Sequence, residues 1–251
     1  MISFGDSLID DGVDFARNDL HGYEEYGDGR VFPYYMAKQL NIDQLNYAYG
    51  GALSGLGNYN HDDPFSGLAW QVQKLLEQKD FRKDSTLILY ESACGNDLSK
   101  GITDFGLILN KNRENIEALL TDGYTQVLVL NFPDVSRVPY FLTPEGAPSK
   151  NLSRAAIKAM NGQFETAILH PLRQKFPHAN IVLADLEEIF DSVLEDLPNN
   201  TVAFVRQTGQ TLEERFSYAF FDDYHITSSA HYLISKKLVE IAKTSFMFKK
   251  I

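Results

Sequence analysis

The sequence predicts an α/β protein with a mainly parallel five-stranded sheet, arranged as a three-layer α/β/α sandwich. Short apolar runs alternate along the chain with longer stretches of helical periodicity, which is the pattern of βαβ units. The chain has 251 residues, of which 44% are apolar and 23% charged, as in an ordinary globular domain. No repeat, low-complexity tract or Pro/Ser-rich linker interrupts this pattern. We therefore predict a single domain over residues 1–251.

Five apolar runs predict the strands, because most of them are too short to form helices. These runs are Ile2–Phe4, Leu45–Ala48, Leu87–Tyr90, Val127–Asn131 and Ile181–Ala184. The predicted helices are Phe32–Leu40, Leu68–Lys79, Ile108–Leu120, Ser153–Lys175, Leu186–Leu194 and Ser228–Lys243. Ser153 is a predicted N-cap, and Pro33 suits the first turn of its helix. The segments predicted to be irregular are Gly12–Arg30, Gly55–Ser66, Asp134–Lys150 and Asn199–Arg215.

The charge of the chain limits its partners. Thirty-four acidic against 23 basic residues give a formal net charge of −11. Such a field opposes nucleic acid, whose phosphates need a basic surface, and broad docking on anionic lipid. No apolar run approaches the roughly 18 residues of a membrane span, and no signal peptide opens the sequence. We expect a soluble protein, and export with a separate leader stays open.

The residues with catalytic potential lie at opposite ends of the chain. Ser7 directly follows the first predicted strand, at the sheet edge where open α/β proteins bind ligands. Asp222 and His225 lie just before the last predicted helix, and one turn would bring them together. Each feature alone is typical of a turn or a cap. An acylating serine, however, needs a base and an acid that orients the base, and these residues could supply both.

Two further segments follow the second and third predicted strands. The pair Gly50-Gly51 would let backbone N–H groups approach a ligand closely, and Asn96 adds a side-chain amide. Backbone N–H groups and amides are the donors that stabilise an oxyanion. Taken singly, the glycine pair indicates a tight turn and Asn96 an Asx turn. Together with Ser7 they predict an oxyanion hole at the same sheet edge.

In this order the segments resemble the sequence blocks of the GDSL family of SGNH hydrolases. The matching blocks are Gly5–Leu8 with Asp10–Gly12, Asn46–Ala52, Gly95–Asp97 and Asp222–His225; Asn131–Asp134 and Ala230-His231 also fit. The chain departs from the family pattern at Ile226, where proline is common, and in its short first strand. The resemblance implies the flavodoxin-like SGNH fold and no cofactor.

The resemblance also implies a role for each matching residue. Ser7 would be the nucleophile, His225 the general base and Asp222 the residue that orients it. The oxyanion hole would consist of the Ser7 N–H, a glycine N–H and the Asn96 amide. Alignment of the blocks favours Gly51 over Gly50 as that glycine.

The expected substrate is an acyl ester, with lipids preferred. Gly29–Tyr34 and Asn46–Ala52 resemble the phospholipase and lysophospholipase-type branch of the family. The predicted loops are also rich in aromatic residues that would suit an acyl chain: Phe15, Tyr23, Tyr26, Tyr59, Phe65, Tyr140, Phe141 and Phe204. The partner would be a small-molecule or lipid ester, with transient contact to a lipid surface.

Several alternatives stay open. A carbohydrate O-acetylesterase would use the same fold, and an acyltransferase would use an alcohol in place of water. A binding protein without activity would need the loss of a catalytic residue, whereas all are present. An ordinary α/β-hydrolase would need a Gly-x-Ser-x-Gly elbow, which the sequence lacks.

Three other polar features receive structural interpretations. His61-Asp62-Asp63 has no partner at a metal-ligand spacing, so we interpret it as a solvated loop and predict no metal site. His231 is interpreted as a packing residue of the last helix. Cys94, the only cysteine, excludes an intrachain disulfide and is interpreted as a small buried residue.

Overall fold

The computed structural model describes residues 1–12, 26–78, 82–211, 213–246 and 248. Its main sheet has five strands in the order β2-β1-β3-β4-β5, and every neighbouring pair is parallel. The strands are β1 (Ile2–Phe4), β2 (Leu45–Asn46), β3 (Leu87–Glu91), β4 (Gln126–Leu130) and β5 (Asn180–Ala184). The predicted fold class and strand number are confirmed.

Helices separate the strands and close the chain. They are α1 (Phe32–Leu40), α2 (Leu68–Leu76), α3 (Gly95–Ser99), α4 (Phe105–Thr121), α5 (Lys150–Phe164), α6 (His170–Lys175), α7 (Leu186–Asp196) and α8 (Ser228–Ser245). A π-helical turn, Glu165–Leu169, joins α5 to α6. Short 3₁₀ helices cover Val135–Arg137, Pro139–Leu142, Ala147–Ser149, Phe204–Arg206 and Glu214–Ser217.

Each face of the sheet carries its own hydrophobic core. Successive side chains of a strand point to opposite faces, so Ile88 and Tyr90 of β3 enter one core and Leu87 and Leu89 the other. Helices α2, α4 and α5 contribute to the first core, and α1, α7 and α8 to the second. Burial on both faces explains why the strands consist almost entirely of apolar residues. Because β1 and β3 pair in parallel, their carboxyl ends lie side by side at one edge of the sheet.

Several predicted boundaries were wrong. The helix predicted to start at Ser153 begins at Lys150, and the π-helical turn divides it. The helix predicted over Leu68–Lys79 ends at Leu76. The segment around Asn96, for which no helix was predicted, forms the short helix α3 directly after Cys94.

The segment Asn199–Arg215, predicted to be irregular, contains β6 (Asn199–Ala203). This strand pairs in parallel with β7 (Tyr218–Phe220) to form a second, small sheet. A hydrophobicity pattern does not detect this strand, because it begins with two asparagines. Asn199 Nδ2 instead donates a hydrogen bond to Ser217 Oγ at 2.8 Å. Most of Gly12–Arg30, with Phe15 and Tyr23, lies outside the described residues.

Among the helices of the described residues, none combines the length and apolar character that a membrane crossing requires.

Candidate active site

Ser7 lies at the carboxyl end of β1, in a turn that the first residues after the strand form. The carbonyl oxygen of Asp6 accepts hydrogen bonds from the N–H groups of Ile9 at 3.1 Å and Asp10 at 3.0 Å. The turn leaves the Ser7 backbone N–H without a hydrogen-bond partner in the part of the chain that the structure describes. Ser7 therefore offers a free backbone N–H at the same residue that carries the hydroxyl.

Asp222 and His225 occupy a tight loop between β7 and α8. The N–H of Phe221 donates to the carbonyl oxygen of His225 at 2.9 Å and closes the loop. Asp222 Oδ1 accepts the N–H groups of Tyr224 at 2.8 Å and His225 at 2.7 Å. Thr227 then caps α8 by accepting the N–H of Ala230. These bonds are local, and the carbonyl oxygens of Phe221 and Asp223 tie the loop to the rest of the chain by accepting the N–H groups of Val205 and Tyr140, each at 3.0 Å.

The imidazole of His225 connects the two ends of the chain. Its Nε2 lies 3.0 Å from Ser7 Oγ, and its Nδ1 lies 2.8 Å from Asp222 Oδ2. Burial alone would raise the pKa of Asp222, but hydrogen bonding to His225 and the charge of His225 together lower it below its ordinary value. The carboxylate therefore stays ionised beside the imidazole. The structure thus brings together all three residues that the sequence singled out.

The glycine pair presents one free and one occupied N–H group. Gly50 donates its N–H to Asp10 Oδ2 at 2.6 Å, whereas the N–H of Gly51 has no partner among the described residues. Gly51 has a φ of +80°, which favours glycine, and an added Cβ would meet Asn58 Oδ1 at 2.4 Å. Asn58 in turn donates to the carbonyl oxygen of Gly50 at 2.9 Å.

Asn96 lies at the start of α3, between the other donors. Its Nδ2 donates to the carbonyl oxygen of Ala52 at 3.1 Å and to Asp6 Oδ2 at 3.2 Å. Both bonds are at the long end of the normal range. Asn96 is thus held by the glycine loop on one side and by the nucleophile turn on the other.

Comparison with known proteins identifies the family of the chain. The family model described as GDSL-like Lipase/Acylhydrolase matches residues 1–238. The chain belongs to this GDSL family. Membership makes it an ester-hydrolysing enzyme. No protein of curated function matches the chain at a significant level.

Solved structures similar to this GDSL hydrolase show the shared fold. An aryl esterase from M. smegmatis has 14% identity and a TM-score of 0.58, covering 98% of both chains. A carbohydrate acetylesterase from Sinorhizobium meliloti has 13% identity and a TM-score of 0.60, also covering 98% of both chains. A lipase/acylhydrolase from Enterococcus faecalis has 15% identity and a TM-score of 0.50, covering 100% of this chain and 98% of its own.

A buried polar network behind Asn96 escaped the sequence prediction. Asp97 accepts the N–H and the hydroxyl of Ser54 at 3.0 and 2.7 Å. Asn115 donates to the carbonyl oxygen of Ser54 at 2.9 Å and to the Tyr90 hydroxyl at 3.1 Å. Burial raises the pKa of Asp97 to about 6, against the opposing hydrogen bonds from Ser54. The network joins the glycine loop, α3 and α4 in this GDSL hydrolase.

Tyrosine rings surround His225. The Tyr26 ring centroid lies 5.0 Å from that of His225, and an added Cβ on Gly50 would meet the Tyr26 ring at 2.2 Å. Tyr224, which is 52% exposed, stacks on Tyr140 at 4.9 Å. Spacing alone could not reveal this clustering, because the rings come from three separate segments.

The remaining polar candidates have structural surroundings. Cys94 is buried as predicted, and so is His231, which contacts Phe32 at 5.9 Å between ring centroids. His61 is half-buried rather than fully solvated, and its ring stacks on Phe65 at 4.4 Å between ring centroids. No group of three or more His, Cys, Asp or Glu side chains in the described residues could hold a metal ion.

Proposed function

We propose that this GDSL hydrolase cleaves acyl esters through a covalent acyl-enzyme on Ser7. His225 acts as the general base, and Asp222 holds its imidazole in the tautomer that accepts a proton at Nε2. The observation that carries the proposal is the continuous contact from Ser7 Oγ to His225 Nε2 at 3.0 Å and from His225 Nδ1 to Asp222 Oδ2 at 2.8 Å. Residues separated by more than two hundred positions meet here with the geometry that nucleophile activation requires.

In the first step, Ser7 Oγ forms a bond to the ester carbonyl carbon while His225 Nε2 takes its proton. The carbonyl π bond opens, and its oxygen becomes an oxyanion. When the carbonyl re-forms, the bond to the alcohol oxygen breaks, and His225 returns the proton to that oxygen. The alcohol leaves, and the acyl group stays on Ser7.

In the second step, water takes the place of the alcohol. His225 removes a proton from the water, whose oxygen attacks the acyl carbon. The bond to Ser7 Oγ then breaks, and Oγ recovers the proton from His225. If an alcohol occupies the place of water, the same steps transfer the acyl group to it, so a transferase activity would use the same residues.

The oxyanion would be held by the Ser7 N–H, the Gly51 N–H and the Asn96 amide. The free N–H groups of Ser7 and Gly51 support this assignment, as does the bond that already occupies the Gly50 N–H. Asn96 would release one of its two long hydrogen bonds to donate to the oxyanion. Each such donor contributes on the order of 10²-fold or more to kcat in comparable sites.

Ser7→Ala tests the nucleophile directly. We expect hydrolysis of p-nitrophenyl acetate to fall by at least about 10³-fold, because no other described group takes the place of Oγ beside His225. A fluorophosphonate probe should add one covalent adduct to the wild type and none to the variant, as read by mass spectrometry. Ser99→Ala, at an exposed position of α3, is the matched control and should keep both properties. Full activity of Ser7→Ala would contradict the assignment.

For the substrate, the sequence favours a long-chain acyl ester, and a lipid is the first candidate. The apolar side chains Leu142 and Leu152 are exposed on the segments that follow β4, and they support contact with an acyl chain or a lipid surface. The net charge of −11 points to neutral rather than anionic lipid.

The tyrosines favour a second candidate, a short-acyl ester of an alcohol that carries a ring. Tyr224 is adjacent to His225 in sequence, and Tyr59 is 46% exposed and tied by its backbone N–H to the carbonyl oxygen of Gly51 at 2.7 Å. Exposed phenol rings on both sides of the site suit a sugar or aryl ring better than a flexible chain.

A series of p-nitrophenyl esters from acetyl to palmitoyl, together with acetylated sugars, separates the two candidates. The lipid candidate predicts that kcat/KM rises with acyl length. The second predicts a maximum at acetyl and hydrolysis of the acetylated sugars.

A further inference from the structure

A buried carboxyl group that the proposed mechanism does not use lies directly behind the nucleophile turn. Glu91 is the last residue of the central strand β3 and is 2% exposed. Its Oε2 accepts the backbone N–H of Asp6 at 3.1 Å. The same oxygen lies 2.2 Å from the place that a Cβ on residue 5 would occupy. Glu91 therefore fills the space that glycine leaves free at Gly5.

Asp6 extends this contact to the candidate oxyanion donors. Its Oδ1 accepts the N–H of Leu8 at 3.0 Å, and its Oδ2 accepts Asn96 Nδ2 at 3.2 Å. The N–H that Glu91 accepts belongs to the Gly5–Asp6 peptide, which directly precedes the Asp6–Ser7 peptide that carries the Ser7 N–H. One chain of hydrogen bonds thus runs from Glu91 through Asp6 to Asn96, with the free Ser7 N–H next to it.

The surroundings of Glu91 disfavour a negative charge. No Lys or Arg forms an ion pair with Glu91 or Asp6 in the described residues. The ionisable groups nearby are Cys94 and Asp97 of the α3 region, Tyr90 of β3, Asp10 after the nucleophile turn, and His225, which faces Asp6. Burial, and then the adjacent charge of Asp6, raise the pKa of Glu91 well above its ordinary value.

We propose that Glu91, as an uncharged carboxylic acid, is a positioning residue that holds the Gly5–Asp6 peptide at the start of the nucleophile turn and, through Asp6, the Asn96 amide. Its ionisation at alkaline pH would place a second negative charge behind the oxyanion and slow acylation. This inference rests on the proposed function of Ser7. Because only the acceptor oxygen is needed at neutral pH, an amide should replace the acid, whereas a hydrocarbon should not.

Two substitutions separate these requirements. Glu91→Gln keeps an acceptor for the Asp6 N–H, so we expect kcat within about threefold of wild type at neutral pH and no loss at alkaline pH from this group. Glu91→Leu leaves that N–H unpaired, so we expect kcat to fall by about tenfold or more while KM changes little. Equal kcat and equal pH profiles for wild type and both variants would overturn the proposal. A loss in Glu91→Gln as large as in Glu91→Leu would also overturn it.

A spectroscopic measurement reads the protonation state without relying on activity. The infrared difference spectrum of wild type minus Glu91→Gln at neutral pH should contain the C=O stretching band of a protonated carboxylic acid. A carboxylate band in its place would overturn the proposal even if Glu91→Leu fails to fold.

Leu128→Ala, in the neighbouring strand β4 and in the second core, is the control for a general loss of stability. It should lower stability and leave the pH profile of kcat unchanged. Ser7→Ala distinguishes a failure of the proposed function from a failure of the proposal for Glu91. An active Ser7→Ala would contradict the assignment of Ser7 as nucleophile, whatever the results for the Glu91 variants.

Discussion

The two halves of the candidate site are built in different ways. On the nucleophile side, Gly5 exchanges hydrogen bonds with Gln71, 66 positions away, at 3.1 and 2.8 Å. Glu91 and Asn96 add further long-range contacts to Asp6. On the base side, the bonds that position Asp222 and His225 relative to each other lie within residues 221–225, and the loop is tied to the rest of the chain by the carbonyl oxygens of Phe221 and Asp223.

This difference separates stability from activity. The backbone of the nucleophile turn depends on tertiary structure, so a change that displaces this backbone should lower the stability of the fold as well as activity. The side-chain bonds of Asp222 are confined to its own loop, so a change of that side chain should lower activity and leave the fold intact. With this division, the oxyanion donors are held in place by the tertiary structure on the nucleophile side, and His225 is oriented by Asp222 on the base side.

The largest expected effect is on the base side. Asp222→Asn keeps an oxygen that can accept the N–H groups of Tyr224 and His225, but its amide would face His225 Nδ1 and favour the wrong tautomer. We expect kcat to fall by about 10²- to 10⁴-fold, with less than about 1 kcal/mol change in the free energy of unfolding. Steady-state kinetics and urea unfolding measure the two quantities.

Asp223→Asn is the matched control, because Asp223 is adjacent in sequence and pairs with Arg206 instead of His225. It should leave kcat within about twofold of wild type. If Asp222→Asn lowered stability as strongly as activity, the side chain of Asp222 would support the fold as well as orient His225, contrary to its local bonds.

The second effect is on the nucleophile side. In Gly5→Ala the new Cβ would lie 2.2 Å from Glu91 Oε2 and 2.6 Å from Ile9 Cδ1. We expect the free energy of unfolding to fall by about 2–4 kcal/mol, with activity lost in proportion to the folded fraction. Shortening the acid in Gly5→Ala/Glu91→Ala should recover only part of this stability, because the contact with Ile9 stays.

Gly162→Ala is the control for a glycine substitution. This position lies in α5, and an added Cβ there meets nothing within 4 Å. The change should raise stability by up to about 1 kcal/mol, because alanine favours the helix. Wild-type stability of Gly5→Ala would show that the nucleophile turn can shift at little cost, and would contradict its dependence on tertiary contacts.

The same difference explains which parts of the site the sequence could predict. Ser7, Asp222 and His225 could be singled out because each lies in a short local block and the blocks follow the order of the GDSL family, although each block alone is typical of a turn or a cap. Glu91 could not, because its role depends on strand pairing: β1 pairs with β3 so that Phe4 lies opposite Tyr90, which brings Gly5 and Glu91 together. A glutamate at the end of an apolar run otherwise indicates an exposed loop.

The fold divides in a similar way. The bounds of β1 and α1 were predicted to the residue, because apolar runs and Pro33 define them. The short helix α3 was missed, because five residues rich in glycine, asparagine and aspartate are typical of a turn. Strand β6 was missed because polar hydrogen bonds rather than buried apolar residues hold it.

The smallest expected effect concerns His231, which lies on α8 beneath the base loop. Neither ring nitrogen has a hydrogen-bond partner among the described residues. Burial, and then the charge of His225, lower the pKa of His231 from 6.5 to about 3. A pKa that is lower in the folded state contributes stability above pH 6.5 that is lost as the pH falls toward about 3.

His231→Leu removes this titration and keeps an apolar side chain against Phe32. We therefore expect its stability relative to wild type to improve on acidification, by on the order of 1–2 kcal/mol at about pH 5 compared with neutral pH. Urea unfolding at the two pH values measures the difference, and His178→Leu, at an exposed position, should show none. An equal loss of stability in acid for wild type and His231→Leu would contradict this prediction. It would assign the acid sensitivity of this end of the chain to Asp222 in the base loop that α8 follows, because the lowered pKa of Asp222 also makes stability fall in acid.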